Sequence, residues 1–244
     1  DAAQAHWVLA LHHIGLRQWS AARAAFRAAL RSEPNSGVVL ATYARMLAWL
    51  GDLDQATELV TRALEVDPAS YEPHVYAAEV YRIARRFRLS VGFLESLSDL
   101  DPERGGATLA WRKALTYVET GQCLKAMEEA ESEAIAGSAS TSALRAYLNG
   151  RCNRPAQARE QQLRLEALAA EGKIKPERFR DWFLAAAHLG LGENEYALSA
   201  LERMVEAGMV PPWPPAPLDP FWDPLRGDER FADLAERMGL PASL

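Results

Sequence analysis

Apolar residues recur along this chain at two nested intervals. The short interval, three and four residues, is that of an amphipathic helix; the long one, 34 residues, is that of a structural repeat. Ala22, Ala56 and Ser90 stand 34 apart, as do Phe26, Val60 and Leu94, then Ala29, Ala63 and Leu97, then Pro34, Pro68 and Pro102. The same interval relates Leu9, Tyr43 and Ala77, then Ala10, Ala44 and Ala78, then His13, Leu47 and Tyr81, then Trp19, Leu53 and Phe87.

Within one period, Gly37 to Ser70, the apolar positions Tyr43, Ala44 and Leu47 and then Ala56, Leu59, Val60, Ala63 and Leu64 predict two helices. Gly51-Asp52 breaks between them: Gly51 closes the first, Asp52 caps the second with Gln55 completing a capping box, and Asp67-Pro68 ends the unit. The unit is a helical hairpin. Small residues at Ala44, Ala56 and Ala63 let its helices approach, while Tyr43, Leu47, Leu53 and Val60 fill the seam to the neighbouring hairpin.

These small-large-small positions and the terminal proline, most complete over Asn35 to Ser70, resemble the tetratricopeptide repeat family. Downstream the turn Gly51 is succeeded by Arg85, Gly121, Asn153 and Gly192, and the small Ala56 by Ser90, Ala126, Ala158 and Ala197. The resemblance implies an all-α fold, an α-α superhelix (TPR solenoid) of about six helical hairpins. The expected array spans 1–209, with units near 3–36, 37–70, 71–104, 107–138, 139–172 and 176–209. The fourth carries a two-residue insertion near Gly105-Gly106, and the fifth a long second helix from Pro155 to about Glu171.

Half of the 14 prolines lie between Pro211 and Pro224, so 210–227 is expected to run extended. Trp213, Phe221 and Trp222 on that stiff segment either cover the last hairpin, the favoured reading, or lie in the protein's own groove or against a partner. In 228–244, Asp228 caps a short helix with an apolar stripe of Phe231, Leu234, Ala235 and Met238, closed by Gly239 and Pro241. A repeat array needs such a C-terminal capping helix to cover its last apolar face. The run from Asp219 through Asp223-Pro-Leu-Arg226 to Arg230-Phe231 also resembles the ending of bacterial proteins whose tetratricopeptide region follows a winged-helix, nucleotide cyclase or kinase domain. A chain that opens on Asp1 rather than Met is expected to have lost residues upstream.

Composition narrows the function. The chain is 49% apolar and 25% charged, with a net charge of −6, which gives no long-range attraction to phosphate backbones or anionic lipid. No apolar run approaches the roughly 18 residues of a membrane span. Two cysteines, Cys123 and Cys152, cannot make a disulfide-dense scaffold or a four-thiolate zinc site. Equivalent helices of adjacent hairpins stack at roughly 8–10 Å, beyond the roughly 7 Å limit for a bridge, so two free thiols are expected; the cysteine count leaves the compartment open, with cytoplasmic favoured slightly over periplasmic. Arg151 and Arg154 flank Cys152 without by themselves making it redox-active.

Catalytic signatures are missing: there is no phosphate loop, no Gly-x-Ser-x-Gly, no His-Glu-x-x-His and no dinucleotide fingerprint. His12 and His13 point about 100° apart on a helix, with no completing ligands, and His6, His74 and His188 read as helix-face residues. No cofactor or metal is expected. The basic run Arg82 to Arg88 reads as a solvated turn.

Tryptophan is the informative residue. One first-helix column reads Trp7, Ala41, Val75, Trp111, Ala143 and Trp182; one turn on lie Leu11, Arg45, Glu79, Leu115, Tyr147 and Ala186. In the family these columns line a concave peptide-binding groove, so the resemblance implies Trp7, Arg45, Trp49, Glu79, Trp111, Tyr147 and Trp182 as contacts. Aromatic and Arg side chains are the types that concentrate binding energy. The competing reading is that the tryptophans fill the gap between first helices. On the groove reading, changing Trp111 and Trp182 together to alanine abolishes partner capture and spares helicity. The sequence thus points to a non-catalytic scaffold for a peptide or protein partner, neither binding nucleic acid nor inserting in a membrane. The alternatives are a regulatory region of a signalling protein, or a ligand or catalytic site at a hairpin junction.

Overall fold

The computed structural model describes residues 2–101, 104, 106–131, 139–208 and 217–240. Among these the regular structure is helical throughout, with no strand. The chain divides into two compact units, Asp1–Pro102 and Glu103–Leu244.

The first unit contains α1 (Ala2–Gly15), α2 (Trp19–Ser32), α3 (Gly37–Trp49), α4 (Leu53–Val66), α5 (Tyr71–Ile83) and α6 (Phe87–Leu100). Each odd helix packs against the even helix that follows it, making three hairpins, and α3 packs on α5 between hairpins. Phe26 of α2 stacks on Tyr43 of α3, ring centroids 5.0 Å apart, joining the first hairpin to the second. The second unit contains α7 (Gly106–Glu119), α8 (Cys123–Ala130), α9 (Ala139–Arg151), α10 (Pro155–Ala170), α11 (Arg180–Gly190), α12 (Asn194–Glu206) and α13 (Glu229–Arg237). Three more hairpins result, with α9 packed along α11. Part of the insertion near Gly105-Gly106 lies outside the described residues.

The repeat columns acquire physical meanings. The small column, Ala22, Ala56, Ser90, Ala126, Ala158 and Ala197, is fully buried in every hairpin. Where it carries a hydroxyl, Ser90 Oγ donates to the Ala78 carbonyl at 2.7 Å, so the polar atom is satisfied inside the hairpin. The turn column Gly51, Arg85, Gly121, Asn153 and Gly192 takes left-handed φ values of 83°, 62°, 73°, 58° and 72°, and Arg17 at 56° extends it to the first hairpin. Asp52 precedes α4 as expected, but its side chain makes no capping bond; its carboxylate faces Arg23 at 3.6 Å instead.

Two expectations are corrected. The cysteines are not free thiols: Cys123 and Cys152 form a disulfide, with Cα atoms 5.9 Å apart. The spacing of equivalent helices does not apply to them. Cys123 opens α8 and Cys152 follows α9, helices in direct contact, and their turns converge at the same end. Nor does the proline-rich tail run extended where it is described. Pro220–Leu225 forms a 3-10 helix: Pro220 stands in its first turn, where N–H groups lack partners anyway, and Pro224 lies inside it. Asp219 accepts from the Phe221 N–H at 2.9 Å, and Arg226 donates to the carbonyl of Leu218 at 3.0 Å and to the Asp223 carboxylate at 2.7 Å. The Asp-Pro-Leu-Arg motif is therefore a self-capped turn. Trp213 lies outside the described residues.

Asp228 caps α13, accepting from the Arg230 N–H at 2.9 Å, and Phe231, Leu234, Ala235 and Met238 are buried against α12 and Trp222. Arg230 grips α12 from the outside: its Nε and Nη2 donate to the two Glu202 carboxylate oxygens at 2.9 Å each, and its Nη1 to Glu195 at 2.7 Å. These hydrogen bonds raise the Arg230 pKa and hold the Glu202 carboxyl below its ordinary value.

Candidate functional site

In the first unit, α3 and α5 bring Arg45, Trp49, Tyr76 and Glu79 together. Arg45 and Trp49 are one turn apart on α3, and the Arg45 guanidinium carbon lies 4.8 Å from the centre of the Trp49 ring. The same carbon lies 4.2 Å from the Tyr76 ring, contributed by α5. The Trp49 Nε1–H donates to Glu79 Oε1 at 2.8 Å. Glu79 is buried, whereas Arg45, Trp49 and Tyr76 are half-buried. No hydrogen bond or ion pair among the described residues occupies the Arg45 guanidinium, and its Nε is buried without an acceptor. Trp7 is also half-buried, on α1, its indole N–H buried without a partner.

In the second unit the equivalent residues are covered. Tyr147 of α9 is 0% exposed and Trp182 of α11 is 4% exposed. Phe221, from the 3-10 turn, lies with its ring centre 4.7 Å from Tyr147 and 6.5 Å from Trp182. The described part of the tail covers the last hairpin, the favoured placement, and also packs on α9 and α11. Trp222 and Phe231 meet over α12, and Phe221 faces α9 and α11.

The same unit holds an apolar recess of about 210 Å³, lined by Trp111, Trp182, Phe179 and Phe183 together with Ala107, Thr108 and Ser140. Trp111 and Trp182 are tilted with ring centres 5.1 Å apart, and Phe183 meets Trp182 edge-on at 5.2 Å. Trp182 Nε1 is buried there without an acceptor.

Tyr76, Phe179 and Phe183 escaped the column reading. Tyr76 is three residues before Glu79 and shares its helix face, a signal that i,i+3 neighbours of Glu79 would have supplied. Phe179 precedes α11 in a 3-10 turn, where helical columns have no meaning.

His188 is buried, with Nδ1 2.8 Å from Glu193 and Tyr196 stacked on its ring. Burial alone raises the Glu193 pKa, but hydrogen bonds from Arg159 and His188 outweigh it and leave the carboxyl below its ordinary value. His13 and His74 meet the Gln18 side chain and the Ser70 carbonyl. Among the described residues no group of three or more His, Cys, Asp or Glu is placed to hold a metal ion, and no helix is long and apolar enough to cross a membrane.

Hairpins with buried small columns, left-handed turns and odd helices packed on odd helices define the family, and residues 13–79 match the tetratricopeptide repeat family model. Over residues 13–79 the chain carries the tetratricopeptide repeat pattern. No curated protein matches its sequence. Among solved structures it is similar to TTC0263, a thermophilic tetratricopeptide repeat protein of Thermus thermophilus, at 20% identity and a TM-score of 0.60, over 76% of this chain and 98% of that one. It is similar to PilW, a widely conserved type IV pilus biogenesis factor, at 16% identity and 0.63, over 84% and 93%. PilF of Pseudomonas aeruginosa gives 18% and 0.59, over 84% and 91%. At these identities the likeness is one of fold. A tetratricopeptide fold is typically non-catalytic and serves as a scaffold for protein interactions.

Proposed function

We propose that this protein is a non-catalytic scaffold that holds a peptide segment of a protein partner, with the first-helix face of α3 and α5 in the first unit as the principal contact. The observation that carries this reading is the Arg45–Trp49–Tyr76–Glu79 cluster: two aromatic rings and a cation, half-buried, tied together by an indole-to-carboxylate hydrogen bond. Such residues combine contact area with polar handles and lose little freedom on binding, because their neighbours already hold them. Trp7 is the further contact proposed on this unit, and Trp111 at the aromatic recess the one proposed on the second. Trp182 contributes there as a wall of the recess, and Tyr147 indirectly, by packing on Phe221, which also faces Trp182.

A peptide selected from a random phage library on the whole chain, followed by amide exchange with and without it, tests the placement. Protection concentrated on α3 and α5 is expected. Protection confined to α2, α4 and α6, or no peptide enriched at all, overturns the reading.

A further inference from the structure

We infer that Arg45 is an anion receptor that takes the side-chain carboxylate of an Asp or Glu within the partner segment; this rests on the placement of that segment on α3 and α5. Most arginines with described polar contacts on this protein reach an acid or a carbonyl: Arg23 faces Asp52, Arg203 donates to Asp181, Arg226 to Asp223 and Arg230 to Glu202. Arg45 has neither. Its guanidinium carbon instead lies over the rings of Trp49 and Tyr76, and among the described residues it has no anion and its buried Nε no acceptor.

Stacking satisfies the flat faces of a guanidinium and leaves its donors, which lie in the plane, unsatisfied. Contact with two rings also restricts the side chain, so less freedom is lost when its fork takes up a carboxylate. The one acid of the cluster does not neutralise it. Glu79 accepts the Trp49 indole proton at 2.8 Å, so Trp49 supports the arginine with its ring and occupies the carboxylate with its edge. Partial burial strengthens an ion pair made there relative to one in open water. Charge complementarity then selects an acid, and the flanking rings select an apolar residue beside it. Of Arg45, Trp49, Tyr76 and Glu79 only Arg45 is a cation, and one guanidinium suits an internal side chain rather than a terminal carboxylate.

The test uses the peptide selected above, made with its acidic residue intact or as the amide (Asp→Asn or Glu→Gln), and with a free or an amidated end. Fluorescence anisotropy measures its affinity for the full chain and for Arg45→Ala and Arg45→Lys, each checked for unchanged helicity. The acid-to-amide change is expected to cost about tenfold or more on the wild-type chain and less than about twofold on Arg45→Ala. Arg45→Lys is expected to recover only part of the difference, and amidating the end to change nothing. Equal losses on wild type and Arg45→Ala, a loss on amidating the end, or selected peptides without an acid overturn the receptor while protection of α3 and α5 still supports the face. Absence of any bound peptide overturns both.

Discussion

Trp49 has two jobs that a phenyl ring would split. Its face lies under Arg45 and its N–H reaches Glu79, a buried carboxylate on the next first helix. Trp49→Phe keeps most of the face and deletes the donor, which is expected to cost about 1–3 kcal/mol, with the melting temperature falling by about 2–4 °C per kcal/mol. A differential scan of the purified variant checks this; an unchanged midpoint excludes an energetic role for the bond. The repeat register brought Arg45 and Glu79 to one face because they occupy one column, and Trp49 joined them as the residue one turn beyond Arg45. It did not reveal that Tyr147 and Trp182 are covered, because the covering ring, Phe221, is 74 and 39 positions away in sequence and belongs to a turn with no repeat to follow. The double change of Trp111 and Trp182 to alanine therefore removes core at both positions, since Trp111 is 7% and Trp182 4% exposed.

Elements were legible wherever one rule governs a whole column. The turn residues were found by their spacing, and all of them are left-handed, including arginine and asparagine where glycine is the easier choice. What spacing could not show is the crossing of α9 and α11. A Cβ built on Gly150 would stand 1.7 Å from the Gly190 carbonyl oxygen, and one on Gly190 would stand 2.3 Å from the Tyr147 Cα. Backbone touches backbone there, so Gly190→Ala must push two helices apart. A loss of about 3 kcal/mol or more is expected in urea unfolding, together with increased accessibility of Tyr147; a loss near that of an ordinary helix-surface change would mean the helices yield freely. At the other end of this unit, α13 is held by an ion pair whose sign is fixed. The folded Glu202 carboxyl titrates below its ordinary value of 4.5, so its contribution is complete above that value and is lost as pH falls through the lower folded one. Amide exchange of α13, corrected for intrinsic rates, is expected to accelerate on acidification in the wild-type chain and to depend less on pH in Glu202→Gln.

At the scale of the molecule, the two units differ in what secures them. The first relies on packing of its hairpins, whereas the second adds a covalent link, Cys123–Cys152, closing a loop of 29 residues' separation. Loop closure of that length contributes about 3–4 kcal/mol in the chain-entropy account. Reduction, or Cys123→Ser with Cys152→Ser, is therefore expected to lower the unfolding midpoint of the second unit and leave that of the first in place. A fluorescence melt reporting Trp49 separately from Trp182 distinguishes the units, and equal shifts in both would show that they unfold as one. The sequence named both cysteines but not their bond, because the spacing argument compared equivalent helices while the bond joins the start of one helix to the end of another.

The aromatic turn at Pro220–Leu225 has a practical consequence for anyone shortening this protein. Ending the chain after α12 looks harmless on the repeat count, since all six hairpins survive. It would strip Phe221 from two nearly inaccessible rings and Trp222 from the last hairpin, turning the truncated product into an aggregation-prone one.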